Sequence, residues 1–276
     1  MTDQRVTPAN GRVAHTSLQG VVQADRFVEG RWMMVQQPMA NITDEPRGKR
    51  LSQLLFGERF LVLESIDGFA FGQAERDGHV GYIISGALTG AEDATHWVIA
   101  PATHLYPKPE LKAPPEVALF FGSHIKVLRE RDDYFRIHTG HFIPKQHVMP
   151  LRARFSDPVG VADLMLGTPY LWGGVSRWGI DCSGLVQSAL IACGIDCPRD
   201  SDQQVVVGEE VPENAPLQRN DVIFWKGHVG LMSNATTLLH ANATHMAVAY
   251  EPLDEVVARM EAAGDGPITH RRRVTL

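Results

Sequence analysis

Three residues in the second half of the chain are of the types that together perform acyl transfer through a covalent intermediate. Cys182 lies in the run GTPYLWGGVSRWGIDCSGLVQSALIACG, from Gly167 to Gly194. A cysteine nucleophile needs a base to take its proton and a polar group to orient that base. His228 follows 46 residues later, in NDVIFWKGHVGLMSNATTLLHANATH, and His240 stands 12 residues beyond it. A neutral His228 could accept the thiol proton while His240 fixes its tautomer through the other ring nitrogen. His245, five residues further on, is a rival to His240 for that third place.

These side chains need elements that place them. Gly173-Gly174 and Gly179 bend an aromatic-rich loop, and a helix is predicted to start at Asp181-Cys182-Ser183. Leu185, Val186, Ala189, Leu190 and Ala192 fit a helix buried on one side, and Gly194 ends it as C-terminal glycines do. Cys182 is thereby placed at a helix N-terminus, where unpaired N–H groups and the dipole favour a thiolate. The same N–H groups can hold the oxyanion formed when sulfur attacks a carbonyl. Val222–Trp225, His228–Met232 and Thr237–Ala241 read as short strands, and antiparallel pairing would bring the two imidazoles together. An earlier helix is expected from Asp157-Pro158 through Leu164, Met165 and Leu166, stopping at Gly167.

Other reactive residues read as structural. Cys193 and Cys197 are four apart with no second cysteine pair, so they are expected as core thiols rather than zinc ligands. Trp172 and Trp178 are expected to pack their loop, and Arg271-Arg272-Arg273 to be a solvated tail. Neither metal nor cofactor is required.

The elements PYLWGG, DCSG, GHVG and LLHA, in this order, closely resemble the NlpC/P60 cysteine peptidases, which have a papain-like fold. The resemblance spans about residues 153–276. It implies that Cys182 is the nucleophile, His228 the base and His240 the third polar residue. Tyr170 matches the family tyrosine whose hydroxyl lies beside the nucleophile. Asp181 and Ser183 flank the thiol and, in relatives with N-terminal SH3b domains, help hold the substrate's free amine. One departure is Asn220-Asp221, where the family commonly has Gly-Asp. Asparagine tolerates the left-handed backbone that such a turn demands.

The first half contains a duplication. LLFGERFLVLESIDGFAF from Leu54 aligns with LFFGSHIKVLRERDDYFRI from Leu119 at an offset of 65, with Asp67 on Asp132 and Phe69 on Tyr134. Short alternating strands separated by Asp/Gly turns mark small antiparallel barrels. The pattern resembles bacterial SH3-like (SH3b) domains over about residues 28–150. The Pro-rich stretch 106–115 inside the second copy reads as an extended loop. The expected fold is therefore α+β: a papain-like NlpC/P60 catalytic domain at 153–276, preceded by two small SH3-like β-barrels at 1–88 and 89–152.

The resemblance also implies a substrate. Such enzymes cut the bond between γ-D-glutamate and the diamino acid of cell-wall (murein) peptides. Those with SH3b domains resemble the dipeptidyl-peptidase VI type, which requires a free N-terminal L-alanine. In those enzymes the first SH3b domain builds part of the wall closing the amine subsite, and Glu58 and Tyr82 are the candidates here. The second copy has Ser123 and Phe142 at those positions. Alternatives are a wall amidase or an acyltransferase on the same fold, or an inert wall-peptide-binding protein.

Composition sets the outer limits. Hydrophobic residues make up 44% and charged residues 21%, as in an ordinary folded chain. The formal net charge is −6 and the sequence pI is near 6.0. That gives no global basic field for nucleic acid or anionic lipid, so neither is an expected partner. No apolar run reaches the length of a secretory signal or a membrane helix, so the cytoplasm is the expected compartment.

Overall fold

Asp67 and Asp132 both adopt a left-handed backbone, at φ +50° in each case. Each turns one strand back on the next in a hairpin, at equivalent points of the two copies. In the computed structural model, which describes residues 3–275, the chain divides into two units, Met1–Ala153 and Arg154–Leu276.

The first unit opens with a parallel pair, β1 (Val13–His15) and β2 (Arg26–Val28). The first copy then runs β3 (Arg31–Val35), β4 (Met39–Thr43), β5 (Arg50–Leu55), β6 (Arg59–Ile66), β7 (Phe69–Ala74), β8 (Val80–Ile84) and β9 (Leu88–Gly90). The second repeats the order with shorter strands: β10 (His96–Val98), β11 (Ala102–Leu105), β12 (Val117–Phe120), β13 (His124–Ile125), β14 (Val127–Arg131), β15 (Tyr134–Ile137), β16 (Phe142–Pro144) and β17 (Val148–Pro150). A 3-10 turn precedes the last strand of both, at Ser85–Ala87 and Lys145–His147. Even the irregularities repeat, since β6 slips register between Val62 and Glu64 and β14 between Val127 and Arg129. Such bulges bend a strand and tighten its twist.

The expectation of closed barrels is not met. The first copy is one seven-stranded sheet, ordered β5-β4-β8-β7-β6-β3-β9, with β5 and β9 at its edges. The second is split into sheets of three, two and three strands. Closure requires an unbroken ladder around the circuit, which neither the unpaired edges β5 and β9 of the first copy nor the separate sheets of the second supply. Each copy keeps its own core. Val35, Ile42, Leu54, Phe60 and Ile83 fill the first, while Val98, Leu105, Leu119, Ile125, Ile137 and Ile143 fill the second. Phe56 of the first copy enters the core of the second. There the His124 N–H donates to the Phe56 carbonyl at 2.8 Å. At the adjacent Gly57 (φ +79°) a Cβ would stand 2.0 Å from the His124 carbonyl oxygen, so only glycine fits.

The second unit contains α1 (Pro158–Asp163), the short strands β18 (Val175–Ser176) and β19 (Gly179–Ile180), α2 (Cys182–Ala192), β20 (Glu209–Glu210), β21 (Asp221–Trp225), β22 (His228–Met232), β23 (Thr237–Asn242), β24 (Ala247–Pro252), α3 (Leu253–Ala263) and β25 (His270–Arg273). Six strands form one antiparallel sheet in the order β20-β25-β21-β22-β23-β24. Every residue of β21 is buried, which requires cover on both faces. On one face α3 supplies it, packing Val256 and Met260 against Ile223, Trp225, Met232 and Leu238. Helix α2 packs against β22 and β23.

Two local expectations are corrected here. Helix α1 stops at Asp163, because Leu164, Met165 and Leu166 donate to the carbonyls three residues back, tightening the chain toward Gly167 (φ +74°). The three arginines 271–273 are no solvated tail. They lie in β25, paired with β21 in the register Val222↔Arg272, and Arg273 donates to the fully buried Asp221 at 2.8 Å. Asn220 does take the left-handed conformation, at φ +73°, and its Oδ1 also accepts the Val159 N–H at 3.0 Å in the first turn of α1.

Candidate active site

Cys182 is the first residue of α2, and the cap before it explains why the helix starts there. Asp181 stays extended, at φ −98° and ψ 177°, and its Oδ1 accepts the Gly184 N–H at 2.7 Å. Its Oδ2 accepts the Gly173 N–H and the Arg199 guanidinium, each at 2.7 Å. The Ser183 hydroxyl donates to Asp181 Oδ1 at 3.3 Å and accepts from Arg199 Nη1 at 2.7 Å. Gln204 Nε2 donates to the Ser183 and Pro198 carbonyls at 2.9 Å. The segment after α2 thus reaches back and holds the helix start in place. Gly184 is required there, since a Cβ would lie 2.5 Å from the Gly174 carbonyl oxygen.

This network gives Asp181 a structural task beside the amine-holding one that resemblance implies. Its two oxygens receive four donors from the chain itself, which fills their lone pairs. The carboxylate caps the helix and pairs with Arg199, and Ser183 is turned into the same network.

The two histidines meet across neighbouring strands. His228 opens β22 and His240 lies in β23, with His228 Nε2 2.8 Å from His240 Nδ1. Beyond them His240 Nε2 lies 3.0 Å from Glu251 Oε2, and Arg259 of α3 grips the same carboxylate at 2.7 and 3.2 Å. His245 sits in the following turn against Asn242, with 43% of its side chain exposed. The structure brings His240, and not His245, to His228.

Electrostatics describe a neutral resting pair. Burial pushes the Cys182 thiol up to about 12, reinforced by the Asp181 carboxylate. The N–H groups of Val229 and Ser183 and the Arg199 charge favour the thiolate but are outweighed. The expectation of a standing thiolate at the helix N-terminus is therefore corrected: loss of water costs the anion more than the helix end returns. His228 is pushed down to about 3 by burial, then by His240 and Arg259. His240 is lowered to about 4 by burial, against the opposing pull of Glu251.

Tyr170 lies on the adjoining loop, its N–H donating to the Met246 carbonyl at 2.8 Å. Burial raises its hydroxyl well above the usual tyrosine range, and the charges of Cys182 and Asp181 add to the rise. Trp172 and Trp178 are largely exposed, at 68% and 73%. Cys197 is buried and Cys193 partly so, and neither is in a disulfide.

In the first unit the two candidates have other partners. Glu58 is 5% exposed, accepts the Leu55 N–H at 2.6 Å and takes Arg76 Nη1 on both oxygens, at 2.8 and 2.9 Å. It is an internal brace of the β5–β6 turn. Ser123 makes the matching contact in the second copy, its Oγ accepting the Phe120 N–H at 3.2 Å. The Tyr82 hydroxyl accepts from Asn10 Nδ2 at 3.2 Å and packs against Phe71. Beside it Glu64 takes Arg12 at 2.7 Å and Arg26 at 2.8 Å. Sequence reasoning missed Glu64, Arg199, Gln204, Glu251 and Arg259. Each acts through partners at least six residues away, and none carries a local motif.

A buried thiol at a helix N-terminus, with a hydrogen-bonded histidine pair on the sheet it packs against, is the arrangement of a papain-like cysteine peptidase. Comparison with known proteins agrees. The model of the NlpC/P60 family matches residues 167–264, and that of the bacterial dipeptidyl-peptidase Sh3 domain matches residues 42–88. The γ-D-glutamyl-L-lysine dipeptidyl-peptidase of Bacillus subtilis is 29% identical over 235 residues, covering 76% of this chain and 78% of that protein. The probable endopeptidase NlpC of Escherichia coli is 32% identical over 121 residues, covering 39% of this chain and 78% of that one. The fold is shared with an NlpC/P60 family protein of Bacillus cereus, at a TM-score of 0.75 and 19% identity, over 88% of this chain and 99% of that one. The chain belongs to the NlpC/P60 family, and it is a cysteine peptidase homologous to γ-D-glutamyl-L-lysine dipeptidyl-peptidases.

Proposed function

We propose that this protein hydrolyses the γ-D-glutamyl–diamino acid bond of murein peptides that carry a free N-terminal L-alanine, in the cytoplasm, as a step of peptidoglycan recycling. The observation that carries this reading is the His228–His240 contact of 2.8 Å beside a cysteine at the start of α2. The homology to γ-D-glutamyl-L-lysine dipeptidyl-peptidases, joined to an Sh3-type domain, supports the choice of bond. Cys182 Sγ attacks the γ-glutamyl carbonyl carbon while His228 takes the thiol proton. The first turn of α2 holds the oxyanion. The C–N bond then breaks, and His228 returns the proton to the leaving amine. Water adds to the thioester with His228 as base, releasing the dipeptide acid and restoring the thiol. Tyr170 lines the nucleophile. No metal or cofactor enters the scheme.

The repeated element order and paired bulges support reading residues 89–152 as a second SH3-like domain after the first at 1–88, with the catalytic domain at 153–276.

The test is release of L-Ala-γ-D-Glu from a tripeptide bearing lysine or diaminopimelate, offered with a free and an acetylated N-terminus. Wild type should cut only the free form and Cys182→Ala neither. Equal turnover of the two forms would point to an amidase-type specificity, and undiminished cleavage by Cys182→Ala would overturn the assignment. A thiol-directed probe should label Cys182 in preference to Cys193 and Cys197. Failure to do so would favour an inert binding protein.

A further inference from the structure

The hydrogen-bond chain does not end at the histidine pair, and its last members determine where the protons sit. Arg259 donates through Nη2 to Glu251 Oε2 at 2.7 Å and through Nε to Oε1 at 3.2 Å. Glu251 is 7% exposed, and although burial raises its carboxyl, the hydrogen bonds and charges of Arg259 and His240 hold it below the usual glutamate range. An ionised carboxylate only accepts hydrogen bonds. His240 Nε2, 3.0 Å from Oε2, must then carry a hydrogen. A neutral imidazole has one N–H, so His240 Nδ1 presents a lone pair. That lone pair faces His228 Nε2 at 2.8 Å, so His228 must carry its hydrogen on Nε2 and leave Nδ1 as the basic nitrogen.

We propose that Glu251, clamped by Arg259, is a positioning residue that sets the tautomers of both histidines and so leaves His228 Nδ1 free to act as the base. The proposal rests on the reading of His228 as that base, and extends it to two residues that touch neither substrate nor thiol. The alternative tautomer of His228 would turn an N–H toward the proton it is meant to accept.

The test uses the full chain with 15N-labelled histidine. In the wild type both His228 and His240 should be protonated on Nε2 at neutral pH. In Glu251→Gln the amide oxygen is expected to turn to Arg259 and the amide N–H2 to His240, which reverses both tautomers. Peptidase kcat should fall by about 10²–10⁴-fold, the span of a lost general base, with KM changed less than twofold. Glu251→Asp, which keeps the carboxylate, should retain the wild-type tautomers and recover part of the rate. A wild-type His228 protonated on Nδ1, or unchanged tautomers in Glu251→Gln, would overturn the proposal. The tautomer measurement needs no substrate, so a wrong assignment of the reaction would show in the cleavage assay and leave this result standing.

Discussion

Arg199 Nη2 lies 2.7 Å from Asp181 Oδ2, and both side chains are buried. A cation and an anion removed from water are held here by complete hydrogen bonding, and the anion caps the helix that carries Cys182. Removing one member of such a pair typically costs about 3–5 kcal/mol, because the other charge is left stranded. Arg199→Met should lower the unfolding free energy by that order, read as a fall in the denaturant midpoint. Arg199→Met with Asp181→Asn should regain part of the loss, since the stranded charge is then gone. If the double variant were no better than the single one, the pair would not be coupled.

Stability should depend on pH in two separate windows. His228 and His240 lie at about 3 and about 4 in the folded protein, below the ordinary 6.5. As pH falls below about 6.5 the unfolded chain binds protons that the folded imidazoles refuse, so stability declines until the folded groups titrate. Cys182 runs the other way. The unfolded thiol ionises from about 9, while the folded one stays protonated until about 12, so stability declines as pH rises through that interval. Melting temperature against pH should show both slopes. Cys182→Ala should flatten the alkaline slope and leave the acid one, and an unaltered alkaline slope would mean the thiol is not raised.

Two glycines with nearly the same backbone separate strain from packing. Gly57 at φ +79° faces the His124 carbonyl, whereas Gly68 at φ +81° has open space around its missing Cβ. Alanine at Gly68 should cost about 1–2 kcal/mol from left-handed strain alone. Gly57→Ala should cost clearly more, because the contact between the two copies has to open. Equal midpoints for the two variants would refute the tight junction.

The strand at 270–273 should be indispensable to the second unit. It lies between β20 and β21, and Arg273 neutralises the buried Asp221. Deleting residues 270–276 exposes the edge of β21 and strands that carboxylate. Circular dichroism and peptidase activity should both be lost, while a solvated tail could be removed without effect.

The start of α2, the strands bearing the two histidines and the repeated element order were legible because their signals are local. The helix at Cys182 follows from a capping aspartate, apolar spacing and a terminal glycine. The strands bearing His228 and His240 follow from short apolar runs between turns, and the repeat from matched residues such as Asp67 and Asp132. What the sequence determined by itself was therefore the NlpC/P60 resemblance, the start of α2, the three strands and the tandem first half. Tertiary structure alone decided the rest. Whether Glu58 faces a ligand or braces a turn depends on Arg76, 18 residues away. The arginines 271–273 become a strand only because β21 offers them an unpaired edge. Glu251 and Arg259 join the histidines through strand register, and the thiol loses its expected ionisation through burial. Pairing and desolvation are properties of chain segments brought together by folding, and no spacing along the sequence encodes them.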